Sequence, residues 1–198
     1  IFFYFISSQL IFQPPLRTNY TDNTPNIITI EGNTPIKALW LKHPNANNTI
    51  LFSHGNATDI GHDRRRIDAL FEKGYNVLAY DYPGYGKSHG WPSEKGAYES
   101  EMQAYNYLVR TQKISPSRIV ALGHSLGAAM ALELGLKKNV AGVVLIAPFV
   151  SAARVVTHYT ILPWDFFNNL EKIPAIKQPL LIIHGLKDSS IAPWHSKK

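Results

Sequence analysis

Residues 120–129 read VALGHSLGAA, which is an apolar run, then the pattern Gly-x-Ser-x-Gly, then strong helix formers. This order predicts a strand, a tight turn at Ser125 and a helix, with glycines where side chains would collide with neighbouring backbone. Such a nucleophile elbow presents its hydroxyl above the sheet, so Ser125 is the candidate nucleophile. The Leu126 N–H at the helix start is then a candidate oxyanion donor. By itself the pattern is equally compatible with a turn that carries no chemistry.

Composition narrows the class of protein. With 198 residues, of which 45% are hydrophobic and 17% charged, the chain predicts one globular domain with a substantial core. The absence of cysteine excludes disulfides, thiolate catalysis and cysteine-ligated metal sites. The net charge is +6, but the basic residues are scattered, and no nucleic-acid partner is expected. The one tight run, Arg64–Arg66, is either a solvated helix face or a contact for anionic lipid head groups.

The first residues form an apolar N-terminal segment. Ile1–Phe12 is rich in aromatic and aliphatic residues, yet it is shorter than the roughly 20 residues that cross a bilayer. The segment, taken as 1–15, is therefore either the end of a membrane anchor or a buried first strand. The anchor interpretation implies contact with a membrane surface, and one domain is expected over 16–198.

Two kinds of strand pattern follow. Ile27–Ile30 and Ile36–Leu41 alternate around a Glu31-Gly-Asn turn and predict an antiparallel hairpin at a sheet edge. Continuous apolar runs predict buried parallel strands at 49–53, 75–81, 117–122, 142–146 and 179–183. Helical periodicity separates them at 60–73 and 94–112. The predicted fold class is α/β, a mostly parallel sheet with antiparallel first strands and helices on both faces.

The loop His54-Gly55-Asn56-Ala57 follows the first buried strand. Gly55 permits a sharp turn and leaves room for substrate, so the N–H groups of Asn56 and Ala57 are candidates for a second oxyanion donor. An ordinary strand-to-helix turn is the alternative interpretation.

A second loop, Asp81–Ser88, is punctuated by proline and glycine. It lacks the glycine spacing of a phosphate-binding loop, which argues against nucleotide binding. We expect Tyr82 and Tyr85, together with Phe149, to line the substrate pocket. The aromatic stretch within 150–176, which carries His158, Tyr159, Trp164, Phe166 and Phe167, either lines an acyl pocket or packs onto the body.

Together, these features resemble the α/β-hydrolase superfamily from about Ile27 to Pro193, with a late His184-Gly-x-x-Asp188 as a further element of the match. Within it, the two loops resemble the membrane-associated branch that includes the mammalian alpha/beta hydrolase domain-containing proteins 13 and 17 and their yeast counterparts. The resemblance implies a serine hydrolase that cleaves esters or thioesters through an acyl-enzyme. It implies a small-molecule or lipid-like acyl substrate and needs neither metal nor cofactor.

The resemblance also implies an acid and a histidine after the serine. Asp188 is the stronger acid candidate, because the preceding strand is followed by no carboxylate before Asp165; the alternative is a turn residue that caps the next helix. His195 is the only histidine after Asp188 and matches the family position poorly. We therefore expect the last strand, the last helix and the catalytic histidine to lie beyond Lys198. The rival interpretations are a ligand-binding protein that lacks the base and a prolyl-oligopeptidase-like peptidase.

Overall fold

The computed structural model describes residues 11–157 and 165–198. The strands are β1 Ile27–Ile30, β2 Ile36–Leu41, β3 Thr49–Ser53, β4 Asn76–Tyr80, β5 Ile119–His124, β6 Gly142–Ile146 and β7 Leu180–Ile183. The α-helices are α1 Arg64–Glu72, α2 Glu94–Asn106, α3 Leu126–Lys137, α4 Ala152–Thr157 and α5 Asn169–Lys172. A π-helical turn spans Tyr107–Thr111, and 3₁₀ turns span Pro116–Arg118, Ile173–Ala175 and Pro193–Lys197.

All seven strands form one sheet in the order β1-β2-β4-β3-β5-β6-β7. The pairs β1–β2 and β2–β4 are antiparallel, and every pair from β4 to β7 is parallel. The predicted α/β class is therefore confirmed, with the hairpin at one edge. The carboxyl ends of β3, β4, β5 and β6 meet at the same edge of the sheet, where ligands bind in open α/β folds.

Helices cover both faces of the sheet, as predicted. Leu51 and Leu78 point to the face covered by α2 and α3, whereas Phe52 and Val77 point to the face covered by α1. Successive residues of a strand face opposite sides, so a strand buried on both faces must be apolar throughout. This explains why the central strands read as continuous apolar runs.

Several boundaries differ from the sequence expectation. The helix predicted over 60–73 begins only at Arg64, because Asp59 and Asp63 organise a turn before it through the bonds of His62 N and Arg66 N. The helix predicted over 94–112 ends at Asn106 and continues as a π-helical turn, in which Gln112 N bonds the Tyr107 carbonyl oxygen.

The aromatic stretch of 150–176 packs onto the body at its described end. Phe166 and Phe167 are buried, and the Phe167 ring contacts those of Phe149 and Tyr98. His158, Tyr159 and Trp164 lie outside the described residues. At the N-terminus, Phe12 is also buried in the core, while residues 1–10 are not described.

The far edge of the sheet, at β7, is apolar and pairs with no further strand among the described residues. All four side chains of β7 are exposed, from 36% at Leu180 to 53% at Leu181. Within the described ranges, no helix combines the length and the apolar character needed to cross a membrane.

Candidate active site

Ser125 lies in a strained turn between β5 and α3. Its backbone has φ 53° and ψ −114°, a conformation that non-glycine residues rarely adopt and that persists only where surrounding contacts hold it. The Ser125 N–H donates to the Ile146 carbonyl oxygen at 2.8 Å, and the Ala128 N–H donates to the Ser125 carbonyl oxygen at 2.9 Å. The turn is thus fixed from β6 on one side and from α3 on the other.

The two glycines of the pattern are there for steric reasons. A Cβ on Gly123 would overlap the Gly127 carbonyl oxygen, and a Cβ on Gly127 would overlap the Ser53 carbonyl oxygen. Helix α3 therefore touches β3 and β5 backbone to backbone. This close approach brings the start of α3 beside the loop that follows β3.

The backbone N–H groups of Leu126, Asn56 and Ala57 have no hydrogen-bond partners among the described residues. The loop at 54–57 also adjoins the serine turn directly, because a Cβ on Gly55 would lie 3.1 Å from His124 Nδ1. Unpaired N–H groups close to a serine hydroxyl are suited to holding a developing negative charge.

The carboxylate of Asp81 is buried beside the loop at 54–57. Asp81 Oδ1 accepts a hydrogen bond from the Ile60 N–H at 2.8 Å and lies 3.3 Å from His54 Nε2. Asp81 Oδ2 accepts from the Tyr20 hydroxyl, and burial beside that carboxylate raises the pKa of Tyr20 well above its usual value. A Cβ at Gly86 would overlap Asp81 Oδ2. Asp81 therefore joins the N-terminal region to the loops after β3 and β4.

The residues that were expected to line the substrate pocket are buried in the structure. Tyr82 and Tyr85 are fully buried; the Tyr82 hydroxyl donates to the His54 carbonyl oxygen at 2.6 Å, and the Tyr85 hydroxyl donates to Asn56 Oδ1 at 2.6 Å. Both side chains thus brace the 54–57 loop in this structure. Phe149 is buried as well and lines a small cavity of about 50 Å³ beside His195.

Asp188 stands in the loop after β7. Its Oδ1 accepts hydrogen bonds from the N–H groups of Ile191 and Ser190, both at 2.9 Å, and these bonds lower the pKa of the carboxyl. Its Oδ2 lies 3.6 Å from His184 Nε2. The carboxylate therefore caps the following turn, and its charge opposes, without reversing, the lowering of the His124 pKa by burial and by Arg66.

The histidines near the carboxyl ends of the strands contact groups other than the Ser125 hydroxyl. His124 is half-buried beside Arg66, and burial followed by that guanidinium lowers its pKa. His184 bonds the Ile191 carbonyl oxygen at 2.8 Å and the Ser196 hydroxyl. His195 stacks on Trp194, and its Nδ1 accepts from the Val150 N–H at 3.2 Å. In 11–157 and 165–198, no histidine is hydrogen-bonded to the Ser125 hydroxyl.

Sequence reasoning missed two positioning groups: the Asp81 carboxylate and the side chain of Asn56. A polar residue directly after a buried apolar strand is the signal that marks Asp81. Asp165, noted only as a distant carboxylate, accepts from the Ala153 N–H at the start of α4. Across the described residues, no cluster of three or more acidic or histidine side chains is arranged to hold a metal ion.

The sheet order, the strained serine between strand and helix, and the adjoining loop define an α/β hydrolase. Solved structures share this fold: the Pyrococcus furiosus esterase Pf2001 has a TM-score of 0.77 at 20% identity, covering 94% of this chain and 82% of that one. An alpha-beta hydrolase from Vibrio vulnificus has a TM-score of 0.73 at 22% identity, covering 87% of this chain and 67% of that one.

Residues 44–170 match the family described as serine aminopeptidase, S33, and the chain belongs to this family of α/β hydrolases. Two relatives are 38% identical over 151 residues, or 75% of this chain: the alpha/beta hydrolase domain-containing protein aho-3 of Caenorhabditis elegans and protein 17B of Homo sapiens. The match covers 46% and 52% of those proteins, so the chain spans about half their length. This similarity confirms the resemblance to the alpha/beta hydrolase domain-containing 17 proteins.

Proposed function

We propose that the protein is a serine hydrolase that cleaves carboxylic esters or thioesters through an acyl-enzyme on Ser125. The observation that carries this proposal is the backbone of Ser125, a strained turn that adjoins the loop at 54–57 through His124 and Gly55. Strain of this kind concentrates at functional sites, because ordinary packing gains nothing from it. The esterase named among the structural neighbours is consistent with the proposal.

The proposed reaction uses these groups in two steps. The Ser125 oxygen bonds to the acyl carbon while a base takes its proton, and the carbonyl oxygen becomes an oxyanion held by the N–H of Leu126 and that of Asn56 or Ala57. The alcohol or thiol leaves with that proton, and water then releases the acid. Asp188 is suited to orient a histidine base, since its bonds to Ile191 and Ser190 keep it ionised.

One observation favours a second candidate, a ligand-binding protein without turnover. In the part of the chain that the structure describes, the Ser125 hydroxyl has no histidine partner, and a serine without a base loses several orders of magnitude in rate. The proposed substrate in either case is a small or lipid-like acyl compound. Contact of 1–15 with a membrane surface belongs to the same proposal.

A fluorophosphonate probe on the protein expressed from its complete gene separates the two candidates. We expect the probe to label wild type and Ser117→Ala, a matched serine far from the turn, and to leave Ser125→Ala unlabelled. No labelling of wild type would favour the binding protein, and labelling of Ser125→Ala would reject Ser125 as nucleophile. A panel of p-nitrophenyl esters of graded length, a thioester and an aminoacyl p-nitroanilide then distinguishes esterase, thioesterase and peptidase activity.

A further inference from the structure

We propose that residues Ile11–Gln13, here called the N-terminal strap, position the oxyanion loop at 54–57 through the side chain of Asn56. This inference rests on the proposed function, because it assigns the strap a role in stabilising the oxyanion. Asn56 acts here as a positioning residue through its side chain, in addition to its backbone N–H.

Both the nitrogen and the oxygen of the Asn56 side-chain amide form hydrogen bonds with the backbone of the strap. Its Nδ2 donates to the Ile11 carbonyl oxygen at 2.6 Å, and its Oδ1 accepts from the Gln13 N–H at 3.0 Å. The same Oδ1 accepts from the Tyr85 hydroxyl at 2.6 Å, and that hydroxyl also lies 3.2 Å from the Gln13 nitrogen. Three hydrogen bonds leave this side chain a single orientation.

The strap is itself fixed by the core. Phe12 is only 5% exposed, and its ring packs edge-on against Tyr85 at 6.4 Å and Phe167 at 5.9 Å between centroids. Pro14 and Pro15 follow directly and restrict the backbone there. The bonds to Asn56 therefore come from a segment that cannot easily follow a shift of the loop.

A fixed side chain sets the direction of its own backbone N–H. A single oxyanion donor contributes about 10²–10³ in rate, and only when it points at the position that the oxyanion takes. A misdirected donor therefore weakens binding of the transition state more than binding of the substrate. We expect loss of the strap contact to lower kcat and to leave KM nearly unchanged.

The test removes one N–H from the strap. Gln13→Pro deletes the donor to Asn56 Oδ1, and the exposed Gln13 side chain makes no hydrogen bond to the described residues. Leu16→Pro, at a fully exposed position, is the matched proline control. With an ester that the wild type cleaves, we expect kcat of Gln13→Pro to fall about tenfold and KM to change less than about twofold. The inhibition constant of a trifluoromethyl ketone, which mimics the tetrahedral intermediate, should rise by the same factor as kcat/KM falls.

A second variant reaches the same contact from the opposite side. Tyr85→Phe keeps the ring against Phe12 but removes the hydroxyl that Asn56 and Gln13 share, so kcat should fall in the same way. In the double variant, kcat should fall by less than the product of the two single-variant factors. Thermal unfolding shows which variants remain folded; if Gln13→Pro does not fold, Tyr85→Phe decides.

The two proposals fail in different ways. Absence of Ser125 labelling in wild type would reject the proposed function. A labelled and active wild type whose folded strap variants keep kcat and the inhibition constant would reject the strap alone. A rise in KM at constant kcat would also overturn it, since that result indicates contact with the substrate rather than positioning of the donor.

Discussion

Glu101 is a carboxyl group buried directly beneath the end of β3. Only 1% of the residue is exposed, and Oε1 accepts one long hydrogen bond of 3.4 Å from the Ser53 hydroxyl, which in turn lies 2.8 Å from the Tyr80 hydroxyl. Burial, and then the negative charge of Glu133, raise the pKa of Glu101 well above its usual 4.5. The folded protein therefore binds this proton more tightly than the unfolded chain does.

Glu101→Gln should make the free energy of unfolding less dependent on pH. For a raised folded-state pKa, the stabilisation is complete below about pH 4.5 and is lost as the pH rises toward the folded-state value. Urea unfolding of wild type and Glu101→Gln should therefore give similar stabilities near about pH 4, and wild type should fall progressively behind toward about pH 8. Glu99→Gln, on the exposed side of α2, is the control and should follow wild type. Parallel curves for wild type and Glu101→Gln would contradict the prediction.

At the scale of single residues, the serine turn was predictable and the strap was not. Ser125 is marked by glycines two positions away on either side, and their steric reason is local to β3, β5 and α3. The amide of Asn56 finds its partners more than 40 positions earlier in the sequence, and no local pattern encodes that pairing. Likewise, the sequence led us to expect Tyr82 and Tyr85 in the substrate pocket. Their burial beneath the 54–57 loop depends on the whole fold, so the local sequence does not show it.

At the scale of elements, Asp81 connects segments that share no regular hydrogen bonding. It is fully buried, accepts hydrogen bonds from the Ile60 N–H before α1 and the Tyr20 hydroxyl before β1, and lies 3.3 Å from His54 Nε2 after β3. Ile60 and His54 both lie in the loop between β3 and α1, and Tyr20 lies before β1, so the carboxylate joins that loop to the N-terminal region.

Asp81→Asn should destabilise the fold by about 2–4 kcal/mol, because one oxygen becomes an amide donor that faces the donor of Ile60 or of Tyr20. The measurement is urea unfolding of Asp81→Asn beside Asp68→Asn. Asp68 pairs with Arg64 at 2.7 Å on a surface where both side chains are about 40% exposed, so its loss should cost no more than about 0.5 kcal/mol. Equal effects of the two substitutions would show that the buried position adds nothing.

Strands were the elements that the sequence predicted best. A strand covered on both faces must be apolar at every position, so its residues carry the signal by themselves. Helix ends were less predictable, since the start of α1 and the π-helical turn after α2 are set by hydrogen bonds of Asp59, Asp63 and Tyr107. The spacing of apolar residues in the sequence carries no information about these hydrogen bonds, so it does not locate the helix ends.

At the scale of the whole molecule, the sheet ends in an apolar edge. The side chains of β7 are exposed, and its outer backbone groups pair with no further strand among the described residues. An exposed, apolar edge strand is a template for pairing with another chain.

Leu181→Lys should reduce self-association of the 198-residue chain. A lysine on an edge strand opposes pairing with a second copy through charge repulsion and the cost of burying the ammonium group. Sedimentation velocity over a range of concentrations should show a smaller fraction of protein in large species for Leu181→Lys than for wild type. Leu186→Lys, an exposed leucine in the loop beyond the strand, adds the same charge without touching the edge and should have a smaller effect. The same distribution for all three proteins would indicate that β7 does not mediate association.

The contact between Phe12 and Phe167 has a consequence for biosynthesis. Phe12 leaves the ribosome long before Phe167, yet the two rings pack against each other in the finished core. Contacts between residues this far apart in the sequence form late and slow the folding of a domain. The packing of Phe12 therefore cannot be completed until translation has passed Phe167, so a ribosome that stalls before this point leaves the Phe12 ring without one of its partners.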